Sequence, residues 1–208
     1  MSNRIIVTGT STEIGKTVFA AGLTRLLNGC YWKPVQAGDE DGTDRERVLA
    51  LSGLPPERAL PEAYRLAKPC SPHEAAAAER IVIDPVRLVP PTTDRVLVIE
   101  GAGGALVPLR DDLLFADQFA RWDAPVVIVA TTLLGTINHS LLTIEALRAR
   151  GVPVLGVAFT GDANEESEAT IARIGGVKRL GRLPRLDPLN AATLAQAMRT
   201  AFDPADFA

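Results

Sequence analysis

The chain has little cysteine, little histidine and few aromatic residues: 2 Cys, 2 His and 5% Phe, Trp and Tyr in 208 residues. Cys30 and Cys70 are too few for a disulfide framework, and no Cys-x-x-Cys spacing suggests a zinc or redox site. Both are read as reduced thiols of a cytoplasmic protein. Scarce aromatics leave no stacking platform for nucleic-acid bases. A net charge of −3, with 22 Lys and Arg scattered along the chain, argues against a nucleic-acid partner. The most apolar run, Val126 to Leu134, is far shorter than a membrane span, so no membrane partner is expected. The N-terminus enters an apolar segment almost at once, which leaves no expected signal peptide. No Ser-His-Asp order and no His-Glu-x-x-His motif occurs, so hydrolytic triads and metalloprotease chemistry are set aside.

What is present is a phosphate-binding pattern. Arg4-Ile5-Ile6-Val7-Thr8 reads as an apolar strand, followed by Gly9-Thr10-Ser11-Thr12-Glu13-Ile14-Gly15-Lys16-Thr17. A strand, a polar turn and Gly-Lys-Thr at a helix start form a phosphate-binding loop, or P-loop. Unpaired N–H groups and the helix dipole favour an anion there. Lys16 would reach the terminal phosphates and Thr17 would hold Mg2+. The spacing is irregular: Thr10 stands where the first glycine is usual, and Gly9 lies one residue earlier.

Length and an apolar fraction of 47% suit a single buried core, so residues 1–208 are read as one domain. Strands are predicted at Arg4–Thr8, Cys30–Val35, Arg95–Glu100, Val126–Ala130, Val154–Thr160 and Lys178–Leu183, nearly continuous in Val and Ile as in a parallel sheet covered on both faces. Helical patterns fall at Lys16–Leu27, Ile137–Arg150, Asn164–Ile174 and Asn190–Phe202, with short ones at Arg45–Leu51 and His73–Arg80. The alternation predicts a doubly wound α/β fold of mainly parallel strands with helices on both faces. Residues 38–93, rich in Pro and charge, read as an excursion that would cover the site.

Ligands of such sheets bind beyond the carboxyl ends of the strands, and further motifs sit there. Lys33-Pro34-Val35 follows the second strand; Lys33 would stabilise charge on a transferring phosphoryl group, although taken alone it also fits a surface lysine. Glu100-Gly101-Ala102-Gly103-Gly104 follows the third, where Glu100 would complete a Mg2+ shell. Asp44 closes an acidic run from Asp39 and reads either as a second Mg2+ carboxylate or as part of a solvated loop. Gly135-Thr136-Ile137-Asn138-His139 opens a long helix whose free N–H groups suit a carboxylate. Phosphoryl transfer, which depends on positioning, cations and Mg2+, fits this set.

The ordered series resembles the dethiobiotin synthetases over nearly the whole chain. It comprises Thr8-Gly9-Thr10-x-Thr12-Glu13-x-Gly15-Lys16-Thr17, Lys33-Pro34-Val35, Ser71-Pro72-His73, Glu100-Gly101-Ala102-Gly103-Gly104, Phe115-Ala116-Asp117, Gly135-x-Ile137-Asn138-His139 and Gly181-x-x-Pro184. The resemblance implies that 7,8-diaminopelargonate takes up CO2 as a carbamate, which ATP phosphorylates before the second amine closes a ureido ring. It implies Lys33, Lys16 and Thr12 as catalytic residues, and Thr17, Asp44 and Glu100 as Mg2+ ligands. Nucleotide contacts would come from Glu13, Ile14, Gly15, Lys16, Thr17, Val18, Asp44, Glu100, Gly101, Ala102, Gly103, Thr160, Gly161, Leu183, Pro184 and Arg185. Substrate contacts would come from Thr12, Lys33, Ala37, Thr136, Ile137 and Asn138, the last three reaching the neighbouring chain of a homodimer. Three features depart from the family pattern, one of them the short segment Gly29-Cys30-Tyr31-Trp32 before Lys33, which leaves a truncated second strand. Ala37 replaces a frequent hydroxyl residue. Thr160 replaces an Asn that reads adenine, so other triphosphates are expected to serve beside ATP. A partition- or switch-type ATPase shares the loop, but its additional early lysine is absent between Gly9 and Gly15.

Overall fold

The computed structural model describes residues 3–40 and 42–207; Asp41, inside the acidic run, lies outside them. The strands are β1 (Arg4–Gly9), β2 (Cys30–Trp32), β3 (Val35–Ala37), β4 (Ala59–Leu60), β5 (Tyr64–Leu66), β6 (Leu97–Gly104), β7 (Pro108–Arg110), β8 (Leu113–Leu114), β9 (Val126–Thr131), β10 (Val154–Thr160) and β11 (Arg179–Leu183). The helices are α1 (Lys16–Leu26), α2 (Asp44–Ser52), α3 (Pro72–Ala78), α4 (Phe115–Trp122), α5 (Thr136–Arg148), α6 (Glu165–Gly175) and α7 (Ala191–Ala201). Seven strands form one sheet in the order β11-β10-β9-β1-β6-β2-β4. Every pairing within it is parallel, the α/β architecture expected from the strand composition.

Successive strand residues point to opposite faces, and this splits the core in two. From β1, Ile6 joins one layer while Ile5 and Val7 join the other. From β9, Val126, Ile128 and Ala130 go to the first, and Val127 and Val129 to the second. Helix α1 seals the second layer with Phe19 and Leu23, helped by Leu194 and Met198 of α7. The first layer takes Phe119 of α4, Ile144 of α5 and Ile171 of α6. Because both faces are covered, the strand residues need no polar alternation, which is why the sequence shows near-continuous apolar runs.

Several predicted boundaries need correction. The segment Cys30–Val35 is not one strand: it divides into β2 in the main sheet and β3, which pairs only with β5. Pro34 sits at the break and lacks the N–H that a ladder needs. Its carbonyl instead accepts the N–H groups of Ala63 and Tyr64. The glycine-rich stretch is not a turn either. Strand β6 continues to Gly104, which pairs with Gly9 of β1. No helix is predicted at Phe115–Trp122, which the sequence marks only by the Phe115-Ala116-Asp117 motif, yet α4 forms there with Phe115, Ala116, Phe119 and Trp122 buried at helical spacing. Among the described residues no helix is long and apolar enough to cross a membrane.

Candidate active site

The loop between β1 and α1 is pinned at three points. Thr10 N–H donates to the Val129 carbonyl at 3.0 Å, and Phe19 N–H to the Gly15 carbonyl at 2.9 Å. The Thr160 hydroxyl donates to the Ile14 carbonyl at 2.7 Å. Gly15 has φ of 85° and packs on Thr160, so a side chain there is strained by the left-handed backbone. Helix α1 begins at Lys16, and the N–H groups of its first turn have no intrahelical partner. They are the donors that a phosphate would meet. Gly103 of β6 also has a left-handed φ, of 65°, and lies beside Thr12, with Val107 filling the space a Cβ would need.

Next to this loop three elements deliver charge to one point. Thr17 Oγ1 lies 3.0 Å from Asp44 Oδ1 and 2.8 Å from Glu100 Oε1. Lys33 Nζ bonds Asp44 Oδ2 and lies 3.4 Å from Glu100 Oε1. Lys33 is therefore not a surface lysine, and Asp44 is not part of a solvated loop; both are buried or half-buried. Asp44 is placed by the start of α2, where Thr43 and Glu46 form a capping box, and by Gln36, whose Oε1 accepts its N–H at 3.1 Å. Glu100 is fully buried, and its Oε2 accepts the Tyr31 hydroxyl at 2.9 Å.

The charges shift one another. Burial pulls the Lys33 ammonium down, but Glu100 and then Asp44 outweigh it, holding Lys33 above its ordinary value. Burial pulls Lys16 down; Glu100 opposes and Lys33 assists, and the net shift is downward. Burial would raise Asp44, but the Lys33 charge and hydrogen bond hold it below the usual carboxylate range. Burial first, and then Glu100, pushes the Tyr31 phenol well up, so it stays a donor.

Among the described residues no three His, Cys, Asp or Glu side chains converge on a point. A site of one hydroxyl and two carboxylates still fits Mg2+, which is held by one or two carboxylates together with phosphate oxygens and water. The Thr17 hydroxyl has one proton for two carboxylate neighbours. One of the two oxygen–oxygen contacts is therefore unbonded, and a cation there relieves it. The residues present fit the ion.

Two clefts flank the loop. One of about 500 Å³ is lined by Glu13, Ile14, Gly15, Val18, Thr160, Gly161, Leu183, Pro184 and Arg185, all named from the sequence as nucleotide contacts. It is also lined by Thr131, Thr132, Leu133, Asp162, Leu186 and Leu189, which were not. Thr131 ends strand β9 and Thr132 and Leu133 follow it, so the strand-end rule applied to every strand would have found them. The other cleft, about 360 Å³, takes Thr12 together with Ser11, Leu106, Val107, His139 and Leu142. Thr136, Ile137 and Asn138 do not line it; the Thr136 hydroxyl is used to hold the Thr131 carbonyl at 2.5 Å. Gly101, Ala102, Gly103 and Ala37 line neither cleft.

A family model described as an AAA domain matches residues 3–193. The ATP-dependent dethiobiotin synthetase of Rhizorhabdus wittichii is 68% identical over the whole of both chains. The chain belongs to the dethiobiotin synthetase family. The synthetase of Bradyrhizobium sp. is 61% identical, again over both full lengths. That of Novosphingobium aromaticivorans is 61% identical over 98% of each chain. Solved structures extend the likeness to the fold alone. A ParA family ATPase from Chlorobium tepidum superposes with a TM-score of 0.57 at 12% identity, covering 96% of this chain and 93% of its own. The cell division ATPase MinD of Pyrococcus furiosus gives 0.55 at 14%, covering 96% and 99%. In this member of the dethiobiotin synthetase family the charged cluster sits beside the phosphate loop. Thr160 lines the cleft, and its hydroxyl is spent on the Ile14 carbonyl of the phosphate loop.

Proposed function

We propose that this protein closes the ureido ring of dethiobiotin from 7,8-diaminopelargonate, CO2 and ATP. The observation that carries this reading is the convergence of Lys33, Asp44, Glu100 and Thr17 beside the phosphate loop in a chain of the dethiobiotin synthetase family. A carbamate is a poor acyl donor because its leaving group would be oxide. Transfer of the γ-phosphoryl group to the carbamate oxygen makes a carbamic–phosphoric anhydride, from which the second amine expels phosphate.

The residues have distinct parts. Glu13 to Val18 wrap the phosphates through backbone donors. Lys16 and Lys33 offset the charge that develops between the γ-phosphate and the carbamate. Lys33 suits this because its neighbours keep it cationic. Thr17, Asp44 and Glu100 would hold Mg2+, which supplies charge neutralisation of the phosphate oxygens when bound. Thr12 would face the carbamate, and Gly101, Ala102 and Gly103 would border the nucleotide. The substrate's carboxylate would meet the N-terminus of α5 at Thr136, Ile137 and Asn138 of a neighbouring chain, in a cytoplasmic homodimer. Ala37 offers no hydroxyl to the substrate. We read residues 1–208 as one domain in which 38–93 covers the site.

Purified protein given diaminopelargonate, bicarbonate, Mg2+ and ATP should release phosphate only when the diamine is present, and dethiobiotin should form in equal amount. Diamine-independent hydrolysis with no dethiobiotin would overturn the reading. Light scattering giving a mass near 22 kDa, the mass of one chain, would overturn the dimer.

A further inference from the structure

Glu100 uses its two oxygens differently. Oε1 faces the Thr17 hydroxyl at 2.8 Å and the Lys33 ammonium at 3.4 Å. Oε2 faces away from them and accepts the Tyr31 hydroxyl at 2.9 Å. Both side chains have 0% exposure. Tyr31 sits on β2 directly opposite Val98 of β6, and Glu100 lies two residues further along the same strand. Residues two apart share a face, and a diagonal neighbour is within reach of a long side chain. The register of two central strands therefore carries the phenol to the carboxylate. No motif marks Tyr31; it precedes the Trp32-Lys33-Pro34 stretch and in sequence reads as an ordinary strand residue.

A buried carboxylate that offers one oxygen to a cation is free to rotate unless the other oxygen is held. We propose that Tyr31 is a positioning residue: its hydroxyl fixes Oε2 of Glu100 so that Oε1 is presented toward Thr17 and Mg2+. This inference rests on the proposed role of Glu100 as a Mg2+ ligand. Partners that orient metal ligands typically matter by about 10–100-fold in metal affinity.

Calorimetric titration with ADP, with and without Mg2+, tests the proposal on wild type, Tyr31→Phe, Glu100→Gln and the double variant. Tyr31→Phe should keep the metal-free ADP affinity and lose about 10-fold of the gain that Mg2+ brings. Glu100→Gln should lose more, and Tyr31→Phe should add nothing in that background. If Glu100→Gln loses the gain while Tyr31→Phe keeps it, the Tyr31 proposal is overturned and the role of Glu100 stands. If Glu100→Gln keeps the gain, the role of Glu100 fails and Tyr31 falls with it. Equal weakening of ADP with and without Mg2+ in Tyr31→Phe marks a core residue only, and overturns the proposal. Should Tyr31→Phe not melt cooperatively, fluorine NMR on protein carrying 3-fluorotyrosine replaces it. The Tyr31 resonance, assigned with Tyr64→Phe, should shift when Mg2+ joins bound ADP and stay still on ADP alone; no shift with Mg2+ overturns the proposal.

Discussion

The two sides of the phosphate loop are built on opposite principles. On one side Lys33, Asp44, Glu100, Thr17 and Tyr31 form a buried network in which each charge has a named partner. On the other, the 500 Å³ cleft is lined largely by Thr, Gly, Leu and Pro, with Glu13, Asp162 and Arg185 at exposed positions. The first side is preorganised for charge that moves during a reaction. The second offers shape and backbone groups, a way to hold a flat ligand without selecting it sharply. The comparison teaches that the charged cluster and the neutral cleft are built from separate elements, so under the proposed function phosphate and base recognition can change independently.

The largest expected effect breaks the charged side. Lys33→Ala should lower kcat by about 10²–10³, the range for removing a single group that stabilises transition-state charge. It also leaves Asp44 and Glu100 facing each other without the ammonium. The metal-free variant should therefore melt well below wild type, and Mg2+ should recover part of the difference. Steady-state rates and melting curves with and without Mg2+ check both. A kcat within tenfold of wild type would remove Lys33 from the chemistry.

Gly15→Ala should follow. Its φ of 85° costs an L-residue about 1–2 kcal/mol, and the added methyl reaches Thr160 at 3.4 Å. Relief of that strain would displace the N–H groups that meet the phosphates. ADP affinity measured by calorimetry should drop by about 10-fold, roughly that strain expressed as a binding constant. Unchanged affinity would mean the loop tolerates the shift.

The neutral side is sharpened by nucleotide choice. With Thr160 bonded to Ile14, no amide reads the base from that position. ATP, GTP and CTP should give kcat/KM values within about 10-fold of each other, since backbone and apolar contacts discriminate weakly. Thr160→Val should then weaken all three alike by about fivefold, the worth of one hydrogen bond near 1 kcal/mol. A loss confined to ATP would show that Thr160 reads adenine after all.

The contrast also explains what was legible in the sequence. Gly15, Lys16 and Thr17 announce their ligand because phosphate binding demands a glycine backbone, a cation and a hydroxyl at fixed spacing. Lys33 was legible because it follows a strand; Glu100 was legible as a carboxylate ahead of a glycine-rich run, although it sits inside β6 and not at its end. Asp44 was ambiguous: a carboxylate in an acidic run reads the same whether it is solvated or paired, and only the α2 cap and Gln36 bring it to Lys33. Tyr31 left no trace, since its role depends on the register between β2 and β6, which no local pattern encodes. The break at Pro34 was visible in the residue itself but was outweighed by the apolar run around it. The neutral cleft was only partly legible, because Thr131 to Leu133 contribute a surface rather than a motif.

A third polar contact, remote from the loop in its elements, sets the scale for the first. Asp117 Oδ2 accepts the Leu114 N–H at 2.9 Å and caps α4, while Oδ1 takes Arg150 Nε at 2.7 Å. The pair is partly exposed, with side chains at 36% and 28%, so solvent screens it and its worth is mainly the cap. Burial would raise the Asp117 carboxyl, but the Leu114 N–H and Arg150 outweigh it and hold it below its ordinary value. A carboxylate depressed in the folded state contributes stability above the unfolded value of about 3.9 and loses it as pH falls through the folded value. Asp117→Ala should therefore cost about 1 kcal/mol at pH 6, as loss of a helix cap does, and lower Tm by about 2–4 °C. The difference from wild type should shrink below about pH 4, where the carboxyl takes up a proton in the unfolded chain before it does in the folded one. Melting curves at pH 6 and pH 3 measure it, and ring-closing activity at pH 7 should stay at the wild-type level. A gap that persists undiminished in acid would show that packing of the Asp117 side chain, rather than its charge, joins α4 to α5. An activity loss comparable to Lys33→Ala would mean that half-exposed pairs matter here as much as the buried network, and the contrast between the two sides would have to be redrawn.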